Sequence, residues 1–392
     1  MSPIDRIRDY HAELTARRRD LHAHPELGFE EHRTSDIVAK ELEALGIEVH
    51  VGIGGTGIVG VLREGNGPAS IGLRADMDAL PILEANEIPY KSSKPGVMHA
   101  CGHDGHTTML LGAARYLAET RNFNGTVNFI FQPAEEGLGG AQAMLRDELF
   151  ARFPCDSVFG MHNHPGLPVG RFAIRPGTMM AAGAFFDIAV EGRGAHGARP
   201  EQSIDPVLVA SHIVTALQAI VARNVDPLDT AIVSATAIHG GDAYNVIPQT
   251  AEIKGTVRTF RSETMTLVED NMKRIASGVA AAFGATARVD FRRLFAPLVN
   301  DAAETAAFAD VAAGIVGEEN VDRARSLIMA SEDFSFMLQQ CPGAYINIGN
   351  GDTVGSCPVH NPGYDFNDEI LPMGAAALAG IVEKKLPRFA GE

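Results

Sequence analysis

Three short apolar runs, residues 70–74, 126–131 and 157–161, each stop abruptly in a cluster of polar side chains, and this repeated layout constrains the fold more than any other feature. The clusters are Asp76 and Asp78 in RADMDALP, Glu135 and Glu136 in QPAEE, and His162 and His164 in MHNHP. Uninterrupted apolar runs of this length suit strands covered on both faces. The helix-like segment 107–120 between the first two fits a crossover joining parallel neighbours. Open sheets of this kind bind ligands beyond the carboxyl ends of their strands, so the three clusters are expected to converge on one site.

A chain of 392 residues is long enough for two domains. Residues 4–21 and 34–45 read as amphipathic helices, the first ended by His24-Pro25 and the second by Gly46, with strands following at 48–51 and 58–63. From about residue 179 the order becomes strand 184–191, helix 205–224, strands 231–238 and 249–260, helix 262–283 and strand 285–291. That is the split βαβ sandwich. It is read as a domain at 179–292 inserted into a discontinuous first domain, 1–178 and 293–392, whose last helix spans 374–385.

Lys and Arg total 33 against 49 Asp and Glu, a net charge of -16 that repels nucleic acid and anionic lipid, so neither is expected as a partner. The longest apolar stretch, 207–222, is interrupted by Ser211, His212, Thr215 and Gln218 and reads as a buried or interfacial helix rather than a membrane span. The opening MSPIDRIRDY has no secretory pattern, and Cys101, Cys155, Cys341 and Cys357 show no paired spacing. A reducing, cytoplasmic setting follows.

MHACGHDGHT, from Met98, packs three histidines, a cysteine and an aspartate into one short run, and thiolate, imidazole and carboxylate are the donors that zinc and its neighbours take. The same run also admits a buried structural cysteine with loop histidines, or a Cys-His nucleophile pair. Glu135-Glu136 places two carboxylates just past a buried strand, where a cation compensates them most economically. Side chains of adjacent residues diverge, so one can bind metal while the other serves as a general base. Taken jointly, Cys101, His103, Glu136, His162 and His360 come from four separate segments and amount to enough donors for two divalent ions. In the inserted domain, His196, Asn245 and Arg258 offer an imidazole, an amide and a guanidinium suited to an oxyanion and a substrate carboxylate.

RRRDLHAHPELGFEE, RADMDALP, MHACGHDGHT, QPAEEGLGGA, GRGAHGARP, NVIPQTAEIKGTVRTF, SEDFSF and HNPGYDFND stand in the order and spacing of the dinuclear metal-dependent amidohydrolases of metallopeptidase family 20. This group includes hippurate hydrolase, N-acyl-amino-acid amidohydrolases and the plant auxin-conjugate hydrolases, and the chain resembles it over nearly its whole length. The resemblance implies an α/β catalytic domain of zinc-exopeptidase type, a mixed sheet with helices on both faces, carrying an inserted ferredoxin-like lid or dimerisation domain. It implies Cys101, His103, Glu136, His162 and His360 as ligands to two divalent ions of manganese, zinc, nickel or cobalt, and Glu135 as the base that activates water. His196 matches a lid histidine that polarises the scissile carbonyl, and Asn245 and Arg258 match lid positions near the substrate carboxylate. Where the wider family has its first metal histidine this chain has Arg74, so ACGHD takes over, and Asp76 is left as a residue supporting a ligand from behind.

The expected reaction is hydrolysis of a small N-acyl or N-aroyl amino acid by a homodimer or tetramer assembled through the lid. Alternatives are a deacetylase of the N-acetyl-diaminopimelate type, a small-peptide hydrolase with the same site, a cysteine hydrolase using Cys101, and a metal-binding scaffold without catalysis.

Overall fold

A computed structural model describes residues 2–351 and 357–388. The chain forms two compact units, one comprising residues up to Met179, Val299–Ser326 and Asp333 onward, the other Met180–Leu298 with Leu327–Glu332. The second unit reaches past residue 292 because its last strand, Thr286–Phe295, goes on pairing with Ala182–Glu191 beyond Phe291, through Arg292, Arg293 and, after a register shift, Phe295. It also includes 327–332, a segment the sequence reading left in the first domain.

In the first unit an eight-stranded sheet runs across Glu48–Ile53, Gly57–Glu64, Gly125–Gln132, Ser70–Asp76, Ser157–Pro165, Gly343–Gly351, Phe172–Ala173 and Val321–Asp322. The sheet is mixed. Ser70–Asp76 is parallel to both of its neighbours, and Ser157–Pro165 is parallel to Gly343–Gly351, whereas the Glu48–Ile53 edge is antiparallel. The three runs that end in polar clusters are therefore adjacent central strands. Their register pairs Asp76 with Gln132 and Arg74 with Gly160, which brings their carboxyl ends level.

The crossover helix His103–Thr120 starts four residues earlier than its apolar pattern predicts. His103, Asp104 and Gly105 are poor helix formers, and buried partners rather than propensity hold them in the first turn. Gly102 caps this helix at φ 96°, and a Cβ there would stand 2.2 Å from Asn163 Nδ2, so no other residue fits. Met109, Leu110, Leu111 and Leu117 bury the helix against the core, each worth about 1.5–3 kcal/mol. The N-terminal segment expected as one helix is instead Pro3–Ile7, a 3₁₀ turn at Arg8–Tyr10, and His11–Ala23.

In the second unit an antiparallel sheet orders its strands Ala231–His239, Thr250–Thr259, Ala182–Glu191 and Thr286–Phe295, and packs with helices Pro206–Arg223 and Ser262–Ala282. This is the split βαβ order. Ala184, Phe186, Ile188 and Val190, every second residue of one strand, face Val209, Ile213, Leu217 and Ile220 in a shared core. Asp205 caps the first helix by accepting from Val207 N at 2.9 Å. By length and composition Pro206–Arg223 alone among the described helices is apolar enough to cross a membrane, yet one face of it is core.

Candidate metal centre

His103 opens the crossover helix with its ring fully buried. Its Nδ1 lies 3.1 Å from Asp78 Oδ1, while Nε2 is buried without a hydrogen-bond partner. A buried ring nitrogen left bare, with its opposite nitrogen held by a carboxylate, is how protein imidazoles are prepared for a metal ion. Around it lie Cys101 and His162, with Sγ and Nε2 3.3 Å apart. His162 Nδ1 donates to Asn163 O at 2.6 Å, which leaves Nε2 as the electron-pair donor.

Glu136 and His360 complete the cluster. Glu136 Oε1 is 3.1 Å from His360 Nε2 without hydrogen-bonding alignment, so both atoms stand ready for a common third partner. His360 has a left-handed backbone, φ 65°, and its N–H bonds Ala100 O at 2.7 Å, tying its loop to the Cys101 segment. Donor atoms of Cys101, His103 and His162 fall within 4.8 Å of one another, as do those of Cys101, Glu136 and His360, and those of His103, Glu135 and Glu136. These overlapping groups share Cys101, His103 and Glu136, an arrangement suited to two neighbouring ions. The donors present fit the divalent ions that the sequence implies.

The electrostatics suit a cation at this cluster. Burial disfavours a charged His103, but Asp76 and Asp78 outweigh it and lift the imidazole to about 10, so a proton stands in for the positive charge. Burial, followed by the carboxylates of Glu136 and Glu135, pushes the Cys101 thiol well up. Burial and then His106 push His162 well down. Cys101 and His162 thus have the spacing of a nucleophile pair but not its charges, since a catalytic thiol needs a depressed value. The donor set serves metal binding better than thiol attack.

Asp76 Oδ2 stands 3.9 Å from His103 Nε2. Its carboxylate binds Arg74 Nη1 and His106 Nδ1, both at 2.6 Å, and Asn163 N donates to His106 Nε2 at 3.0 Å, so both His106 nitrogens are committed. Arg74, at the wider family's histidine position, also donates to Gln132 Oε1 at 2.9 Å and Asp333 Oδ1 at 3.2 Å. Glu135, nearly buried, has Oε1 3.4 Å from Asp333 N.

The sequence places Asp78 in a polar cluster but gives it no role, whereas it orients His103 and accepts from Glu136 N at 3.0 Å; the pair Asn163 and Tyr364 is not singled out there. Asn163 Nδ2 donates to Cys101 O at 2.6 Å and Tyr364 Oη donates to Asn163 Oδ1 at 2.8 Å, which fixes the cysteine loop. Each lies inside a motif already quoted, and the two-residue spacing of Asp76 and Asp78 was the available signal. In the second unit, exposed His196 pairs with Val246 across a short ladder and Gly197 N bonds Asn245 O at 2.7 Å, so His196 and Asn245 are brought together. Arg258 stands elsewhere in that unit, opposite Gly183 and Ile232, with Nη1 bonded to Val257 O at 3.0 Å.

The family model described as peptidase family M20/M25/M40 matches residues 72–384. The chain belongs to this family. Hippurate hydrolase of Campylobacter jejuni is 46% identical to this M20-family protein, over 98% of the chain and 100% of the relative. IAA-amino acid hydrolase ILR1-like 2 of Arabidopsis thaliana is 40% identical, over 96% and 85%. The solved Bacillus subtilis YXEP protein, described as a dinuclear metal binding peptidase of the same family, superposes with a TM-score of 0.83 at 34% identity, covering 97% and 99% of the two chains.

Proposed function

We propose that this M20-family protein hydrolyses the amide bond of small, hippurate-like N-acyl or N-aroyl amino acids, with Glu135 as general base. The observation that carries the reading is the bare, buried Nε2 of His103 among Cys101, His162, Glu135 and Glu136. Likeness along the full chain to an enzyme named for hippurate supports the substrate class.

In this reading Cys101, His103, Glu136, His162 and His360 hold two divalent ions, drawn from manganese, zinc, nickel and cobalt. When bound, such ions supply Lewis acidity and local positive charge. Glu135 accepts a proton at its carboxylate from the water that attacks the carbonyl carbon. It returns that proton to the amine nitrogen as the carbon–nitrogen bond breaks, releasing a carboxylic acid and a free amino acid. Asp78 holds the His103 ring, and Asp76 holds Arg74 and His106.

We assign substrate recognition to His196, Asn245 and Arg258. Ala198 N donates to His196 Nδ1 at 3.0 Å, which puts the proton of the neutral ring on Nε2, the form that donates to a developing oxyanion. The second unit is proposed as a lid and as the contact of a homodimer or tetramer. Exposed Leu208 and Val221 on its first helix and Ile232 and Ile238 on its edge strand support that reading. Four free cysteines, two buried and two half-buried, suit the cytoplasm.

The test is amine release from hippurate and a panel of N-acetyl amino acids, using protein stripped by chelator and reloaded with each ion in turn. Activity restored by an ion supports the reading. No turnover with any ion despite stoichiometric binding contradicts it.

A further inference from the structure

Glu31, the last residue of HPELGFEE, is fully buried and belongs to none of the donor groups above. Its carboxyl joins three segments of the first unit. Glu31 itself is the N-cap of helix His32–Ala44, and Oε2 accepts a short hydrogen bond from Thr56 Oγ1 in the turn before the Gly57–Glu64 strand. Oε1 accepts from the backbone N–H of Ala134 at 2.8 Å.

Ala134 is the residue immediately before Glu135, and its φ of 53° is left-handed, a region a residue with a Cβ enters only when its surroundings hold it there. The corner is boxed in by three glycines. A Cβ on Gly28 would stand 2.9 Å from Ala134 Cα, one on Gly57 2.9 Å from Pro133 Cδ, and one on Gly140 1.6 Å from Pro133 O. Ala134 O accepts from Gly140 N at 3.0 Å and Glu136 N is held by Asp78, so the turn is tied on those sides as well; on the N–H side of Ala134 the acceptor is Glu31. Burial pushes the Glu31 carboxyl up to about 7. A carboxyl kept buried with hydroxyl and amide partners serves geometry rather than charge compensation.

We infer that Glu31 is a positioning residue: by holding the left-handed Ala134 backbone it aims Glu135 and Glu136 into the metal centre from a single turn. For Glu135 the inference rests on the hydrolytic reading above; for Glu136 it is independent of any substrate.

The test compares Glu31→Ala, Glu31→Gln and Val38→Ala in the full chain loaded with cobalt, reading kcat and KM for hippurate together with the visible absorption of the ion. Val38 is a buried core residue of the helix that Glu31 caps and serves as the control for lost packing. Glu31→Ala lowers kcat by roughly 10²-fold with KM little changed, the size expected when a reacting group is displaced by about 1 Å. It also shifts the cobalt bands. Glu31→Gln, which keeps an acceptor for Ala134 N–H, restores both. Thr56→Val removes only the hydroxyl on Oε2 and shifts the bands in the same direction by less, which keeps the test available if Glu31→Ala does not fold. The inference is overturned if the bands and kcat of Glu31→Ala match wild type, if Val38→Ala produces the same losses, or if Glu31→Gln loses as much as Glu31→Ala. Failure of wild-type protein to cleave any N-acyl amino acid would overturn the hydrolytic reading alone, and the cobalt bands would still decide the role of Glu31.

Discussion

His103 and Asp78 form a buried pair, Nδ1 to Oδ1 at 3.1 Å, and the consequence is a bare Nε2 on the far side of the ring. Asp78 does a second thing: its other oxygen accepts from Glu136 N at 3.0 Å. One carboxylate therefore orients a donor from the crossover helix and the backbone of a donor just past the strand that follows it, Gly125–Gln132. The centre is held from behind before any ion arrives.

Replacing Asp78 by Asn weakens the hold on the ring and removes the charge that raises the basicity of His103. Affinity for the divalent ions is expected to fall about 10- to 100-fold, measured by competition with a chromophoric chelator. Wild-type affinity in Asp78→Asn would show that the ring is oriented by packing alone.

His22 predicts a pH dependence of stability. Burial opposes its charge, but Asp104 at 2.9 Å and Glu84 at 3.3 Å outweigh it and raise the imidazole to about 9. The folded value lies above the unfolded value of about 6.5, so the stabilisation is complete below that pH and disappears as pH rises through about 9. Between pH 6.5 and 9.5 the urea midpoint of wild type is expected to decline, the His22 contribution being on the order of 3 kcal/mol. His22→Gln should start lower and show a flatter profile; parallel profiles would refute the assignment.

Arg74 neutralises a buried interior. Substitution by Met strips the cation from Asp76 and Asp333, each within 3.2 Å of its guanidinium, and leaves two desolvated carboxylates without it. Loss of about 3–5 kcal/mol is expected from denaturant unfolding. A loss below about 1 kcal/mol would mean that the hydrogen bonds from Gln132 to Asp333 and from His106 to Asp76 suffice to hold the pair.

The first-unit strands were legible because apolar runs 70–74, 126–131 and 157–161 are too continuous for a half-exposed sheet, and their polar ends lie together in space as the parallel register requires. The helix start was missed by four residues, since His103 and Asp104 owe their helical state to Asp78, His22 and Arg18 rather than to propensity. Candidate donors were readable from residue type. The supporting roles were not: Asp78 stood out only as part of a polar cluster, and Asn163 and Tyr364 are chemically ordinary until the fold places them behind Cys101. Glu31 is the extreme case: its importance depends on a backbone angle at Ala134 that no side-chain pattern announces.

The central claim is that Glu135 moves the proton while its neighbour binds metal, and the direct test is Glu135→Gln reloaded with its ions. Wild-type ion stoichiometry is expected, since the amide keeps the size of the carboxylate it replaces, with kcat for hippurate reduced by about 10²- to 10⁴-fold. Full stoichiometry with near wild-type kcat would contradict the claim and transfer the base to another group of the centre.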